Sequence, residues 1–220
     1  PENPLLLAVR SGASVSMPGM METILNVGVT PLTLPALHNS TGDHFFALDS
    51  YRRFLEAFCK CMLGIDGFMF DTQAKENTDL SDHIKDLEAV VSEQIGAERL
   101  CDARYLLNEC IHAVIRSSHS ITAQAYRKKT GLPESLGTAV TVQAMVFGNT
   151  GARSGTGVAF SRDPNSGEKK ICGDWIRNAQ GDDVVGGDSA TSDISVFAAT
   201  LPSAYEELKL HLEHLEIFYQ

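Results

Sequence analysis

Little in this sequence favours a membrane, a nucleic-acid ligand or a disulfide framework. No apolar run approaches the length needed to cross a bilayer, so no membrane partner is expected. Lysine and arginine number 18 against 28 aspartates and glutamates, a formal charge of −10. Binding a phosphate backbone needs clustered cations, so no nucleic-acid partner is expected either. A locally cationic site could still take a nucleotide. Cysteine is sparse: five residues, at 59, 61, 101, 110 and 172, lack framework spacing and a histidine at ligand distance. A reduced compartment, cytoplasmic or organellar, is therefore expected, without a zinc site. The start, Pro1-Glu2-Asn3-Pro4, has no initiator Met, no basic region and no cleavage-like pattern. It reads as a processed chain or a piece of a longer one rather than as a signal peptide.

What is present suits a globular protein with a sizeable core: 220 residues, 43% hydrophobic and 21% charged. Residues 4–10 predict a buried strand, 11–19 a Gly/Ser/Pro loop, and Met20–Val27 a short helix or turn ending at Gly28. Two prolines mark Thr30–Gly42 as a loop. From Asp43 to Met62 apolar residues recur at helical spacing up to a stop at Gly64. Further amphipathic helices are predicted over 79–95 and about 102–118, with a polar loop at Asp71–Thr78 and a solvated acidic face over 76–93. Beyond Gly137 the pattern changes. "GTAVTVQAMVFG" (137–148) alternates and is rich in β-branched residues, and two more strands follow, joined by a turn at Asp163–Gly167. Residues 203–219 predict a helix with Ser203 as N-cap and Glu206 completing a capping box. The expected fold is α+β in three segments: 1–42 with a strand and Gly-rich loop, a helical 43–136, and a β-rich 137–220 closed by a helix.

Three stretches could carry chemistry. In "AVRSGASVSMPGM", Arg10 ends a strand and Gly12 and Gly19 follow, so backbone N–H groups and a guanidinium could meet a phosphate. The same residues also describe a structural loop with an incidental Arg. Gly155-Thr156-Gly157 could present a second set of backbone donors, although hairpin turns use such residues too. The edge of the strand "VQAMVFG" could pair with adenine while Met145 and Val146 cover the ring, or it is an ordinary core strand. The histidines offer less. His112 and His119, seven apart on one predicted helix, and His211 and His214 on the last helix lack acidic or Cys partners at ligand spacing. They read as solvated positions.

In combination and in order, "AVRSGASVSMPGMMETILNVG", "DSYRRFLEAF", "LGTAVTVQAMVFGN", "SGTGVAFSRDPNSGEKK" and "NAQGDDVVGG" closely resemble the nucleotide-binding domain of the pyruvate, phosphate dikinase family. The resemblance spans nearly the whole chain. It implies a partial ATP-grasp-like architecture that holds ATP between two subdomains. ATP would give a pyrophosphoryl group to a histidine on a separate domain, and the β-phosphoryl group would pass to pyruvate on another. On matching positions it implies Arg10 as the catalytic, phosphate-contacting residue, and Ser11, Gly12, Met17 and Gly19 as the loop over the triphosphate. Gln143, Met145 and Val146 would line the adenine, and Gly155, Thr156, Gly157 and Asp174 the phosphates. Partners implied are ATP, the phosphohistidine domain, the pyruvate/phosphoenolpyruvate-binding domain and, at full length, a homo-oligomer.

The departures from the family pattern are specific. Asp174 stands where a Glu is usual, and Asp188-Ser189-Ala190 where Arg-Thr-Pro is usual. Thr122 or Ala123 occupies the position of a usual Arg. The family's Mg²⁺-binding Asp-x-Glu pair, its Gln-Thr-Arg segment and its ATP-binding Lys have no counterpart among these residues. Mg²⁺ ligands are thus expected outside this chain, which alone would be catalytically incomplete. A non-catalytic nucleotide-binding or regulatory relative is the alternative that these departures motivate.

Overall fold

The computed structural model describes residues 3–15, 17, 19–64, 80–185 and 190–219. They fall into two compact units, Pro1–Met145 and Val146–Gln220. Both mix helices with a small antiparallel sheet, which makes the fold α+β.

The first unit contains β1 (Leu7–Gly12), β2 (Thr23–Val27) and β3 (Ala139–Ala144) in the order β2-β1-β3. Its helices are α1 (Leu34–Thr41), α2 (His44–Phe58), α3 (Leu80–Ile95), α4 (Ala97–Leu100), α5 (Ala103–Ser117) and α6 (Ile121–Thr130). Helices α2 and α5 pack on the sheet through β2, and α3 packs on α2. Helix α2 forms where the apolar spacing predicts it. Asp43 caps its start by accepting the Phe46 N–H at 2.9 Å, and it buries Tyr51, Phe54, Leu55 and Phe58. Burying each such side chain contributes about 1.5–3 kcal/mol. A π-turn, Cys59–Leu63, extends α2 to Gly64, whose φ of 64° ends the helix in the left-handed region. Asp102 and Ser120 cap α5 and α6 in the same way as Asp43.

Four expectations in this unit are corrected. Met20–Val27 is neither helix nor turn, because its second half is strand β2. The register explains the misleading spacing: Leu7 pairs with Val27 but Val9 with Ile24, so one extra residue is inserted near Asn26, whose φ is 58°. That bulge turns Ile24 and Val27, three residues apart, to the same buried side, as on a helix. Thr30–Gly42 is not all loop, since Leu34–Thr41 is helical. Pro35 lies in the first turn, where no N–H is required, and the Gly42 N–H caps the end on the His38 carbonyl at 2.8 Å. His119 lies beyond α5 rather than on it. Glu88, on the supposedly solvated face of α3, accepts the Tyr51 hydroxyl at 2.9 Å. The predicted loop Asp71–Thr78 lies outside the described residues, as do residues 76–79 of the acidic stretch.

The second unit contains β4 (Gly155–Phe160), β5 (Cys172–Arg177) and β6 (Ser192–Asp193) in that order, with α7 (Gly181–Val185), α8 (Ile194–Thr200) and α9 (Pro202–Phe218). The β4–β5 connection turns where expected. The Asp163 carboxylate accepts the N–H groups of Asn165 and Ser166 at 2.8 and 3.0 Å. Helix α9 starts earlier than the capping-box reading: Leu201 is the cap residue, Pro202 opens the first turn, and Ser203 is already helical. His211 and His214 are solvent-exposed on this helix, as expected. The three-segment division at residues 42 and 136 differs from these two units. Strand β3 pairs along its length with β1, so a sheet ladder joins residues more than 120 positions apart to one core.

Candidate functional site

Strand β1 is apolar up to Val9 and then presents one cation. Val9 is buried, whereas Arg10 is exposed and its guanidinium makes no hydrogen bond or ion pair among the described residues. Pairing places Arg10 opposite Thr23 of β2 and Thr141 of β3, and Ala8 opposite Gln143. Cross-strand partners share a face, so Thr23, Arg10, Thr141 and Gln143 form a polar patch on the open side of the sheet. A free guanidinium flanked by two hydroxyls and an amide can bind a phosphate bidentately. The two threonines were missed in the sequence because only the register brings them beside Arg10.

The remaining first-unit candidates divide. Ser11 and Gly12 belong to β1 rather than to a loop, and the Gly12 N–H donates to Thr138 Oγ1 at 3.2 Å. That amide is already used within the unit. Gly19 has a φ of 70°, a conformation that favours glycine, with no atom near a would-be Cβ. Met17 is buried, and its carbonyl accepts the Met20 N–H, so it anchors the segment between β1 and β2 instead of presenting a side chain to solvent. Gln143 is exposed on β3, an edge strand among the described residues. The Met145 N–H donates to the Leu6 carbonyl and its Sδ accepts the Asn26 N–H at 3.0 Å, so Met145 is tied to this unit's interior.

In the second unit Val146 is 96% exposed. Gly155-Thr156-Gly157 is not a loop but the first half of β4, paired with Arg177, Ile176 and Trp175. The glycines permit close packing: a Cβ on Gly155 would lie 3.0 Å from the Trp175 ring, and one on Gly157 would lie 2.7 Å from the Asp174 carbonyl. Because β4 pairs only with β5 among the described residues, alternate N–H groups still point outward from its free edge. Asp174 is exposed on β5 next to this run, and one of its oxygens accepts the Thr191 hydroxyl at 3.2 Å.

Mg²⁺ usually takes one or two carboxylates and the phosphates of its nucleotide. Among the described residues no group of three or more His, Cys, Asp or Glu could hold a metal. Asp193, which faces Asp174 across the sheet, is occupied in capping α8 through Ser195. Both carboxylates thus already have hydroxyl partners within this unit, Thr191 for Asp174 and Ser195 for Asp193. Three of the thiols are poor nucleophiles: burial pushes Cys59 up to about 11 and Cys61 and Cys110 up to about 12. Arg127 on α6 went unremarked in the sequence. It is only 2% exposed, and its Nε has no acceptor among the described residues.

Among the described residues no helix is long and apolar enough to cross a membrane. The family model described as "Pyruvate phosphate dikinase, AMP/ATP-binding domain" matches residues 1–220. The chain is 40% identical over 234 residues to the chloroplastic pyruvate, phosphate dikinase of Flaveria trinervia, covering 100% of this chain and 24% of that protein. Identity is also 40% over 235 residues to pyruvate, phosphate dikinase of Rickettsia conorii, covering 99% and 27%. The chloroplastic pyruvate, phosphate dikinase 1 of Arabidopsis thaliana is 40% identical over 234 residues, with 100% and 24% covered. The chain thus spans about a quarter of the length of these relatives. With a match that runs from its first residue to its last, this chain belongs to the pyruvate phosphate dikinase AMP/ATP-binding domain family.

Proposed function

We propose that this chain contributes the ATP-binding part of a pyruvate, phosphate dikinase, with Arg10 as the residue that engages the transferring phosphates. The longer protein would convert ATP, phosphate and pyruvate to AMP, diphosphate and phosphoenolpyruvate through a phosphohistidine on another domain. The observation that carries the reading is the free guanidinium of Arg10, flanked by Thr23, Thr141 and Gln143 on the open face of a well-packed sheet. Phosphoryl transfer depends mainly on positioning and charge neutralisation, which an unpaired arginine on a rigid strand can supply.

In this reading Ser11, Gly12, Met17 and Gly19 shape the segment beside Arg10, with Met17 acting as its anchor. Gln143, Met145 and Val146 form the adenine side of an ATP-grasp-like site. Gly155, Thr156 and Gly157 offer the free-edge amides of β4 to phosphate, and Asp174 stands near them. Mg²⁺ would arrive with the nucleotide and take its protein ligands from outside the described residues. A cytoplasmic or organellar homo-oligomer is proposed for the longer protein.

The test uses the protein that carries this segment. Arg10→Ala is expected to remove the ATP- and phosphate-dependent partial reaction while the melting temperature stays within a degree or two. Unchanged partial-reaction rates would show that Arg10 is not the phosphate ligand. A wild-type protein that binds MgATP without any partial reaction would instead favour the non-catalytic alternative motivated by the missing metal ligands and by the arginines lost at Thr122 or Ala123 and at Asp188-Ser189-Ala190.

A further inference from the structure

The head of β4 carries two arginines that take no part in the packing of the second unit. Arg177, at the end of β5, lies directly across from Gly155 in the sheet register. Cα atoms so paired are about 5 Å apart. Arg153 stands two residues before Gly155. Both arginines are exposed, and neither guanidinium makes a hydrogen bond or ion pair among the described residues.

The backbone that carries them is fixed at one corner. Asn178 follows Arg177 with a φ of 51°. It accepts the Gly151 N–H on Oδ1 and donates its own N–H to the Ser154 carbonyl, both at 2.9 Å. The Ser154 hydroxyl closes the same turn, accepting the Thr150 N–H at 2.9 Å and donating to the Gly151 carbonyl at 2.7 Å. Arg153 thus sits inside a turn bound from both ends, and that turn is bonded to the residue next to Arg177. Bringing two like charges to one corner costs energy that an anion would offset. The chain has 28 acidic residues against 18 lysines and arginines, yet no carboxylate serves here among the described residues. Asp174 holds the Thr191 hydroxyl, and Asp183 holds the Gln180 N–H at 2.8 Å.

We propose that Arg153 and Arg177 together bind a phosphate group of a nucleoside polyphosphate at the head of β4. The proposal rests on the reading that the free edge of β4 faces phosphate, and it names the side chains that supply charge there. Each guanidinium offers paired donors in a planar fork, and two of them suit a tetrahedral group with several charged oxygens. A carboxylate, with two oxygens and one charge, would engage one arginine and leave the other unpaired. Both arginines belong to the second unit, so their contribution is separate from that of Arg10.

The test uses the protein that carries this segment, titrated with MgATP by calorimetry at several KCl concentrations. Arg153→Gln and Arg177→Gln are each expected to weaken binding about tenfold, the loss of a charge-assisted hydrogen bond, and the double variant about a hundredfold. The fall of affinity with salt should be shallower in each variant, because an ionic contact is gone. Melting temperatures should stay within a degree or two, since both side chains are exposed. Unchanged affinity in the double variant, or weaker binding with the salt dependence of the wild type, would overturn the proposal and leave the ATP reading in place. A wild-type protein that binds no MgATP would overturn that reading, and this proposal with it.

Discussion

The two three-stranded sheets of this protein are built on opposite plans. In the first unit, β1 and β2 bury Val9, Ile24 and Val27 against helices that contribute Tyr51, Phe54, Phe58, Leu106 and Val114. That packing leaves one polar face open around Arg10. In the second unit, β4 carries two glycines, and the buried apolar residues described there are Trp175, Ala179, Ile194 and Leu212. The contrast teaches that a well-packed strand can hold an exposed cation at little risk to stability. A sheet poor in side chains depends instead on a few large contacts.

The sharpest way to break the comparison is to truncate one aromatic in each unit. Trp175→Ala and Phe54→Ala are each expected to cost about 3–5 kcal/mol. In the second unit that loss should abolish cooperative unfolding, whereas the first unit should remain folded with a lowered midpoint. Denaturant titration followed by hydrogen exchange distinguishes the two, and equal residual protection in both units would contradict the comparison. A smaller effect of opposite sign is expected at Arg127. Burying a guanidinium without a counter-charge is unfavourable, so Arg127→Met should stabilise the first unit by about 1 kcal/mol or more. A fall in Tm would mean that the guanidinium has a stabilising role.

Acid should weaken each unit through a carboxylate held below its ordinary range. Burial raises the Asp49 carboxyl, but hydrogen bonds and charge from Arg52 and Arg53, with contacts of 2.7 and 2.8 Å, outweigh it and lower the pKa. In the second unit the Arg162 hydrogen bond lowers Glu216, whose carboxylate sits 2.7 Å from Arg162 Nε and 3.0 Å from the Ser161 hydroxyl. A pKa lowered on folding contributes stability that is present above the unfolded-state value, about 4 for these groups. That stability is lost as pH falls through the folded-state value. Asp49→Asn and Glu216→Gln should therefore destabilise at pH 7 and flatten the pH dependence of Tm below about pH 4. A variant as acid-sensitive as the wild type would remove that carboxylate from the account. The smallest stability change is expected at Arg10: Arg10→Ala should stay within about 0.5 kcal/mol, because the exposed guanidinium has no described partner. Loss of the ATP partial reaction at unchanged stability would place function on the open face alone.

Helices were the most legible elements wherever an apolar stripe ran. The stripe from Asp43 to its stop at Gly64, and Leu106, Cys110 and Val114 further on, are local signals that need no distant partner. Strand β2 was illegible because its bulge at Asn26 imitates helical spacing. Helix α1 was hidden by Pro35, which suits a first helical turn as well as a loop. Part of the candidate site was legible as residue types. Arg10 stood out as a lone cation after an apolar run, whereas Thr23 and Thr141 carried no signal because strand register creates their adjacency. The Gly155–Gly157 run was visible, but its role as a strand packed against Trp175 was not.

By itself the sequence determined the helix stripes, the turn at Asp163, the α+β class and, through its motifs, the family. These depend on contacts within a few residues or on long stretches of ordered identity. Only the tertiary structure decided that β3 joins β1, that Met17 and Met145 are tied inward, that Arg127 is buried without a described counter-charge, and that the glycines of β4 pack against Trp175. Each of those facts depends on which residues remote in sequence pack around the position. Side-chain packing and strand register set such pairings, and no local pattern encodes them.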